Sequence, residues 1–191
     1  MAQKRFLIVA VVAGACVWRA PVASAQNYAS GPYAELHAGA SGFLDVNRDY
    51  AAIGPSLGVR AGYDLFRWLS LGGYALGSTH EATLPPPPEQ EFFQIYQAGG
   101  EGQLRQRFGQ FGVFAEGGAG LAFISTNVLD RVGVTDPTQT RLSPAFTVGG
   151  GFDYHLQSRH FSVGLGADYT IYPSFAAAQS LTVRLYVRYT K

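Results

Sequence analysis

The clearest pattern in the sequence lies at the end of the chain, Leu181-Thr182-Val183-Arg184-Leu185-Tyr186-Val187-Arg188-Tyr189-Thr190. Apolar or amphipathic side chains recur at every second residue, and polar residues, two of them arginines, stand between them. This alternation is typical of a β-strand, because successive side chains of a strand point to opposite faces. The segment therefore predicts a strand with one apolar face and one polar face.

The same alternation returns along the chain and predicts eight strands in total. They cover Tyr33–Ser41, Ser56–Tyr63, Trp68–Leu76, Gln94–Arg105, Phe111–Phe123, Ser143–Tyr154, Phe161–Ile171 and Ser180–Thr190. Most are close to the roughly 9–11 residues with which a tilted strand crosses a bilayer.

The predicted connections alternate between short and long. Short turns lie around Asp64–Arg67, Gln106–Gln110 and His155–His160. Long loops lie around Gly42–Pro55, Gly77–Phe93, Ile124–Leu142 and Tyr172–Gln179. An even strand number, with short turns at one end and long loops at the other, is typical of barrels that span a bacterial outer membrane. It places both ends of the mature chain in the periplasm.

Composition agrees with this class and disfavours others. Charged residues make up 14% of the 191-residue chain, against about 25% in a typical soluble domain. The net charge of +1 gives no indication of a nucleic-acid partner. Beyond the N-terminus, no apolar run approaches the ~18 residues of a membrane helix.

The first 25 residues have the pattern of a secretory signal peptide. Lys4 and Arg5 precede the apolar run Phe6–Trp18, and Ala23-Ser24-Ala25 forms a small-residue cleavage site. We therefore expect residues 26–191 to form the mature barrel domain.

The single cysteine, Cys16, lies inside this leader. The expected mature chain thus has no disulfide, thiolate nucleophile or cysteine-bound metal. A lipoprotein is the alternative, since Ala13-Gly14-Ala15-Cys16 has the form of a weak lipidation motif.

Aromatic residues flank each short turn, next to Arg67, Arg107 or Arg159. Aromatic rings and arginine both favour the headgroup layer of a membrane. We expect a membrane-interface girdle formed by Tyr63, Phe66, Trp68, Phe108, Phe111, Tyr154, Phe161 and Tyr189.

Three segments, Gly62–Gly73, Phe111–Gly120 and Gly149–Tyr154, resemble hairpins of the small OmpA/OmpX-like barrels. The resemblance implies an all-β, eight-stranded antiparallel up-and-down transmembrane β-barrel in a bacterial outer membrane, in contact with outer-membrane lipids. It also implies assembly by the barrel-assembly machinery, which in this family commonly reads a C-terminal aromatic residue. This chain ends Tyr189-Thr190-Lys191, so Tyr189 would serve from two residues back.

If the apolar face of each strand is the outward one, every second residue points inward. This alternation, which we call parity, assigns nearly every charged strand residue to the inward face. We expect an interior salt-bridge network of Glu35, Arg60, Glu101, Arg105, Glu116, Asp153, Asp168, Arg184 and Arg188. Arg184 is expected to pair with Asp168 and Arg188 with Glu35, because buried charges need partners. Inward glycines are expected at Gly39, Gly58, Gly72, Gly99, Gly118, Gly149, Gly164 and Gly166.

The preferred function is a non-enzymatic structural or surface-interaction barrel whose lumen is plugged by this network. One alternative is a small channel, and another is a periplasmic lipocalin-like barrel. A third is a lipid A-modifying enzyme that uses His160 and Ser162, with Asp168 as a conceivable acid. His37, His80 and His155 are scattered without metal-ligand spacing, so neither a metal nor a cofactor is predicted.

Overall fold

The computed structural model describes residues 30–44, 49, 51–83, 92–125, 141–157 and 160–191. The predicted leader with Cys16, Arg159 and parts of the first three long loops lie outside these ranges. Within them, no helix is long and apolar enough to cross a bilayer.

Eight strands close into one barrel. They are β1 Pro32–Phe43, β2 Gly54–Phe66, β3 Leu69–Glu81, β4 Phe92–Phe108, β5 Phe111–Ile124, β6 Leu142–His155, β7 Phe161–Tyr172 and β8 Ala178–Thr190. Each strand pairs antiparallel with the next, and β8 pairs with β1. The structure thus confirms the predicted all-β, eight-stranded, up-and-down barrel.

The two faces of β8 show why the alternation arises. Leu185 points outward and is 66% exposed, whereas its neighbour Arg184 points into the barrel and is 1% exposed. The same arrangement, with apolar side chains outside and polar ones inside, holds around the barrel. It is the inverse of the polarity of a soluble protein, which buries its apolar side chains. A lipocalin-like barrel needs the opposite arrangement, so the inversion excludes that alternative.

The eight aromatic residues expected at the membrane interface are all exposed at the end of the barrel that carries the short turns. Neighbouring rings contact one another: Phe66 stacks on Trp68 with ring centroids 5.7 Å apart. Phe161 packs against Tyr189 at 5.1 Å. The rings therefore form groups on the outer surface, and none of the eight fills the lumen.

Several strands extend further than the alternation predicted. Strand β2 continues through Asp64, which was expected in a turn and is instead fully buried in the lumen. Strand β3 continues to Glu81, so His80, expected in a loop, is also a buried lumen residue. The predicted long loop after β7 is a tight turn that inserts Phe175 into the barrel.

Large lumen side chains are accommodated by glycine on the neighbouring strand. A Cβ at Gly166 would lie 3.0 Å from the guanidinium carbon of Arg184. Tyr186 occupies the corresponding space over Gly164. These glycines give the arginine and the tyrosine the room that a barrel of this size otherwise lacks.

The lumen is not polar throughout, in contrast to the expectation. At the end with the long connections, an apolar cluster fills it, formed by Phe43, Ala51, Ala82, Phe93, Ile95, Ala122, Ile124, Ala145, Tyr172, Phe175 and Ala178. We call this cluster the apolar cap. The charged residues lie below it.

Candidate functional site

Two arginines organise the middle of the lumen. Arg60 Nη1 lies 2.6 Å from Glu116 Oε2 and 3.0 Å from Glu101 Oε2, and Arg60 Nη2 lies 3.1 Å from Asp168 Oδ2. Its Nε is 3.7 Å from Glu35 Oε1. One guanidinium on β2 therefore faces carboxylates from four other strands.

Arg184 approaches the same carboxylates from β8. It donates to Asp168 Oδ2, and its Nη2 donates to Glu116 Oε1 at 2.8 Å. The predicted contact between Arg184 and Asp168 is thus present in the structure. We define the central cluster as Glu35, Arg60, Glu101, Glu116, Asp168 and Arg184.

Arg188 has a different partner from the one expected. Glu35 is its register neighbour on β1, but the Arg188 guanidinium points towards the short-turn end of the barrel and donates to Asp64 Oδ1. It also donates to Gln103 Oε1 at 2.9 Å and lies 3.7 Å from the centroid of the Tyr33 ring. The prediction that Arg188 pairs with Glu35 was wrong, because the extended strand β2 brings Asp64 into the lumen.

A second group of contacts surrounds Asp153 near the short-turn end. Arg105 Nε lies 3.3 Å from Asp153 Oδ2, and His155 Nε2 lies 3.2 Å from Asp153 Oδ1. The Tyr186 hydroxyl donates a hydrogen bond to Asp153 Oδ2 at 3.4 Å. We define the lower cluster as Asp64, Arg105, Asp153 and Arg188.

Gln103 joins the two clusters. Its amide nitrogen donates to Glu116 at 3.2 Å, and its oxygen accepts from Arg105 at 2.8 Å as well as from Arg188. All nine charged residues predicted for the lumen therefore lie in one connected arrangement, together with Asp64 and Gln103. The network was predicted from charged residues on the inward face, so the role of the neutral Gln103 could not be recognised in the sequence.

A small cavity lies between the central cluster and the apolar cap. Its volume is about 20 Å³, which is room for about one water molecule. Its polar lining comprises His37, Arg60, Tyr74, Gln97, Glu101, Glu116, Thr147, Asp168, Thr170 and Thr182. The cavity thus has charged groups on one side and amide and hydroxyl groups around it.

The apolar cap is the layer that sequence reasoning missed. Phe93 and Phe175 are almost completely buried in it, and the His80 ring lies against Phe93 with centroids 5.4 Å apart. His80 Nε2 and the Ser78 hydroxyl are 3.0 Å apart. Apolar residues do recur on the inward face near the strand ends, but most of these positions fall in segments for which the sequence predicts long loops.

The structure does not assemble the proposed pair of His160 and Ser162. The His160 ring lies on Tyr189, and its Nδ1 is 2.9 Å from the Thr190 carbonyl oxygen. Ser162 points into the lumen and is buried. Asp168, its conceivable acid, belongs to the central cluster.

No three His, Cys, Asp or Glu side chains among the described residues form a group that could hold a metal ion. No curated protein sequence is significantly similar to this chain. The fold, by contrast, has clear counterparts among solved structures.

Neisserial surface protein A matches with a TM-score of 0.65 at 16% identity, over 85% of this chain and 99% of that chain. OprG from Pseudomonas aeruginosa matches with a TM-score of 0.59 at 11% identity, over 88% of this chain and 100% of that chain. The N-terminal β-barrel domain of Pseudomonas aeruginosa OprF matches with a TM-score of 0.50 at 12% identity, over 85% and 99%.

At 11–16% sequence identity, these structural similarities show a shared fold and give no information about function. The model of one protein family, described as the outer membrane protein beta-barrel domain, matches residues 7–188. With the closed eight-stranded barrel and its inverted polarity, this match makes the chain a member of the outer membrane protein beta-barrel domain family.

Proposed function

We propose that this outer-membrane barrel is a structural and surface-interaction protein with a closed lumen, and that it catalyses no reaction. The observation that carries the proposal is the filling of the lumen at successive levels. The apolar cap, the central cluster and the lower cluster each place buried side chains across the barrel. A solute moving along the axis would have to displace all three.

The energetics favour a lumen that stays closed. Arg60 and Arg184 each contact several carboxylates, and removing one member of such a buried group leaves an uncompensated charge. Such a change costs about 3–5 kcal/mol. Opening a path through the central cluster would break several of these contacts at once.

The topology supports a location for the proposed interaction surface. We propose that the short turns and both chain ends face the periplasm, which leaves the longer connections outside the cell. The exposed aromatic groups near the short turns would then contact the lipids of the inner leaflet. The outward-facing Tyr189, 41% exposed near the end of β8, is the proposed contact for the barrel-assembly machinery.

Conductance tests the closed lumen directly. The purified barrel is inserted into planar lipid bilayers under symmetric potassium chloride, with a general porin as the positive control. We expect the baseline of the protein-free bilayer, without discrete current steps. Steady unitary steps from the wild-type barrel would contradict the proposal and establish the small channel instead.

A further inference from the structure

The central cluster contains more acid than base. Glu35, Glu101, Glu116 and Asp168 pair with two arginines, Arg60 and Arg184, which leaves two more carboxylates than guanidiniums; His37 Nδ1 also lies 3.9 Å from Glu35 Oε1. In the lower cluster, by contrast, Asp64 and Asp153 are matched by Arg105 and Arg188. Because buried charges need compensation, the excess in the central cluster calls for a further positive charge.

Two buried carboxylate oxygens of the central cluster accept no hydrogen bond from the described residues. Asp168 lines the cavity, is 6% exposed, and its Oδ1 accepts no hydrogen bond from the described residues. Within the central cluster, Glu35 Oε1 is also without a hydrogen-bond donor. His37, another buried lining residue, has no hydrogen bond at Nδ1.

The remaining lining supplies neutral oxygen atoms. Thr147 Oγ1 lies 3.0 Å from Thr170 Oγ1 and accepts from the Gln97 amide at 3.1 Å. The same amide donates to the Tyr74 hydroxyl at 2.7 Å. A hydroxyl oxygen has two lone pairs, so each of these groups can also face a positive ion.

We propose that this cavity binds one small alkali cation of the class of Na⁺ or K⁺. The volume of about 20 Å³ admits an occupant of about the size of one water molecule. The cation would lie beside Glu101 and Asp168 and take its other oxygen ligands from the threonine and tyrosine hydroxyls. It would neutralise part of the negative excess that Arg60 and Arg184 leave.

The arrangement fits an alkali ion better than a divalent one. Calcium and magnesium sites rely on several carboxylates that converge on one point. Here the carboxylates turn towards the guanidiniums, and the described residues contain no convergent acidic or imidazole group of three. A site with carboxylates on one side only and neutral hydroxyl oxygens elsewhere suits a singly charged ion.

Cation-dependent stability tests the site without requiring an entry path into the folded barrel. The protein is refolded in lipid vesicles, and its urea unfolding midpoint is measured in sodium, potassium or choline chloride at the same ionic strength. A ligand that binds only the folded state raises stability with the logarithm of its concentration above Kd. We expect this rise in sodium or potassium and none in choline, which is too large for the cavity.

Two variants locate the site. Glu101→Gln removes a cavity carboxylate, and Thr170→Val removes a hydroxyl without changing the charge; both are expected to abolish or strongly reduce the alkali-dependent shift. Glu81→Gln, at an exposed acid on the outer end of β3, is the matched control and is expected to retain the full shift. Thr170→Val keeps the test usable if Glu101→Gln fails to refold.

Sodium-23 relaxation of the folded wild-type protein gives a second readout. We expect line broadening beyond that of protein-free vesicles, and its loss in Thr170→Val. Equal midpoints in sodium, potassium and choline would overturn the proposal and assign the missing positive charge to protons. A shift that persists in both cavity variants would overturn it as well, because the cation would then bind elsewhere.

Discussion

The contact between Arg188 and Asp64 makes the sharpest prediction about the lumen. Both side chains are almost fully buried, so removing either charge leaves the other without its main partner. We expect Asp64→Asn and Arg188→Gln each to destabilise the barrel by about 3–5 kcal/mol. Arg188→Gln should be the more costly, because it also removes the bond to Gln103 and the contact with the Tyr33 ring.

The double variant separates this pair from general damage. Directly contacting residues couple by about 0.5–3 kcal/mol, so Asp64→Asn with Arg188→Gln should cost less than the sum of the single changes. Urea unfolding in lipid vesicles, fitted with a common m-value, gives the three free energies. As a control, Asp64→Asn with Thr170→Val should be additive within about 0.5 kcal/mol, because the two sites belong to different levels of the lumen. Additive costs for Asp64 and Arg188 would refute the pairing.

Three further predictions address the outer face, the β7–β8 turn and the enzyme alternative. Leu185→Arg should cost about 2–4 kcal/mol in the same assay, because it places a charge in the lipid near mid-membrane; a neutral effect would mean that β8 faces the other way. Ala177→Gly should stabilise the barrel by about 1 kcal/mol, because Ala177 has φ 57°, a left-handed conformation that glycine adopts without strain; a loss of stability would show that the methyl group is needed for packing. His160→Ala and Ser162→Ala should leave the lipid A acylation pattern of an expressing strain unchanged in mass spectra; an acyl chain removed by wild type but not by a variant would establish the enzyme.

The barrel could be predicted from the sequence because its signal is repeated. In β8, Leu185 and Arg184 differ in environment as strongly as two neighbours can, and the outer lipid and the crowded lumen impose that contrast on every strand. A single alternating segment is also compatible with a soluble sheet, whereas eight segments with alternating short and long connections are not. Parity then assigned the lumen charges without any knowledge of their contacts.

The partners within the lumen could not be predicted from parity. Parity gives the face of a residue, but the partner depends on the register of all eight strands and on the reach of each side chain. Arg188 shows the difference: its register neighbour is Glu35, yet its guanidinium extends down to Asp64. Asp64 itself was missed because aspartate is one of the residues that favour turns, and Asp64 directly follows the last residue of the predicted strand.

The apolar cap was missed for a related reason. Near the long connections, inward strand residues such as Phe93 and Ile124 are apolar, so the contrast between the two faces disappears and the alternation ends before the strand does. The interior of the barrel is therefore patterned along its axis as well as across its wall. Charged side chains from seven of the eight strands occupy the middle of the lumen and the levels towards the short turns, and apolar side chains close the end from which the long connections emerge. Part of the buried core of this protein therefore lies inside the barrel, at the end with the long connections, where it closes off the polar lumen.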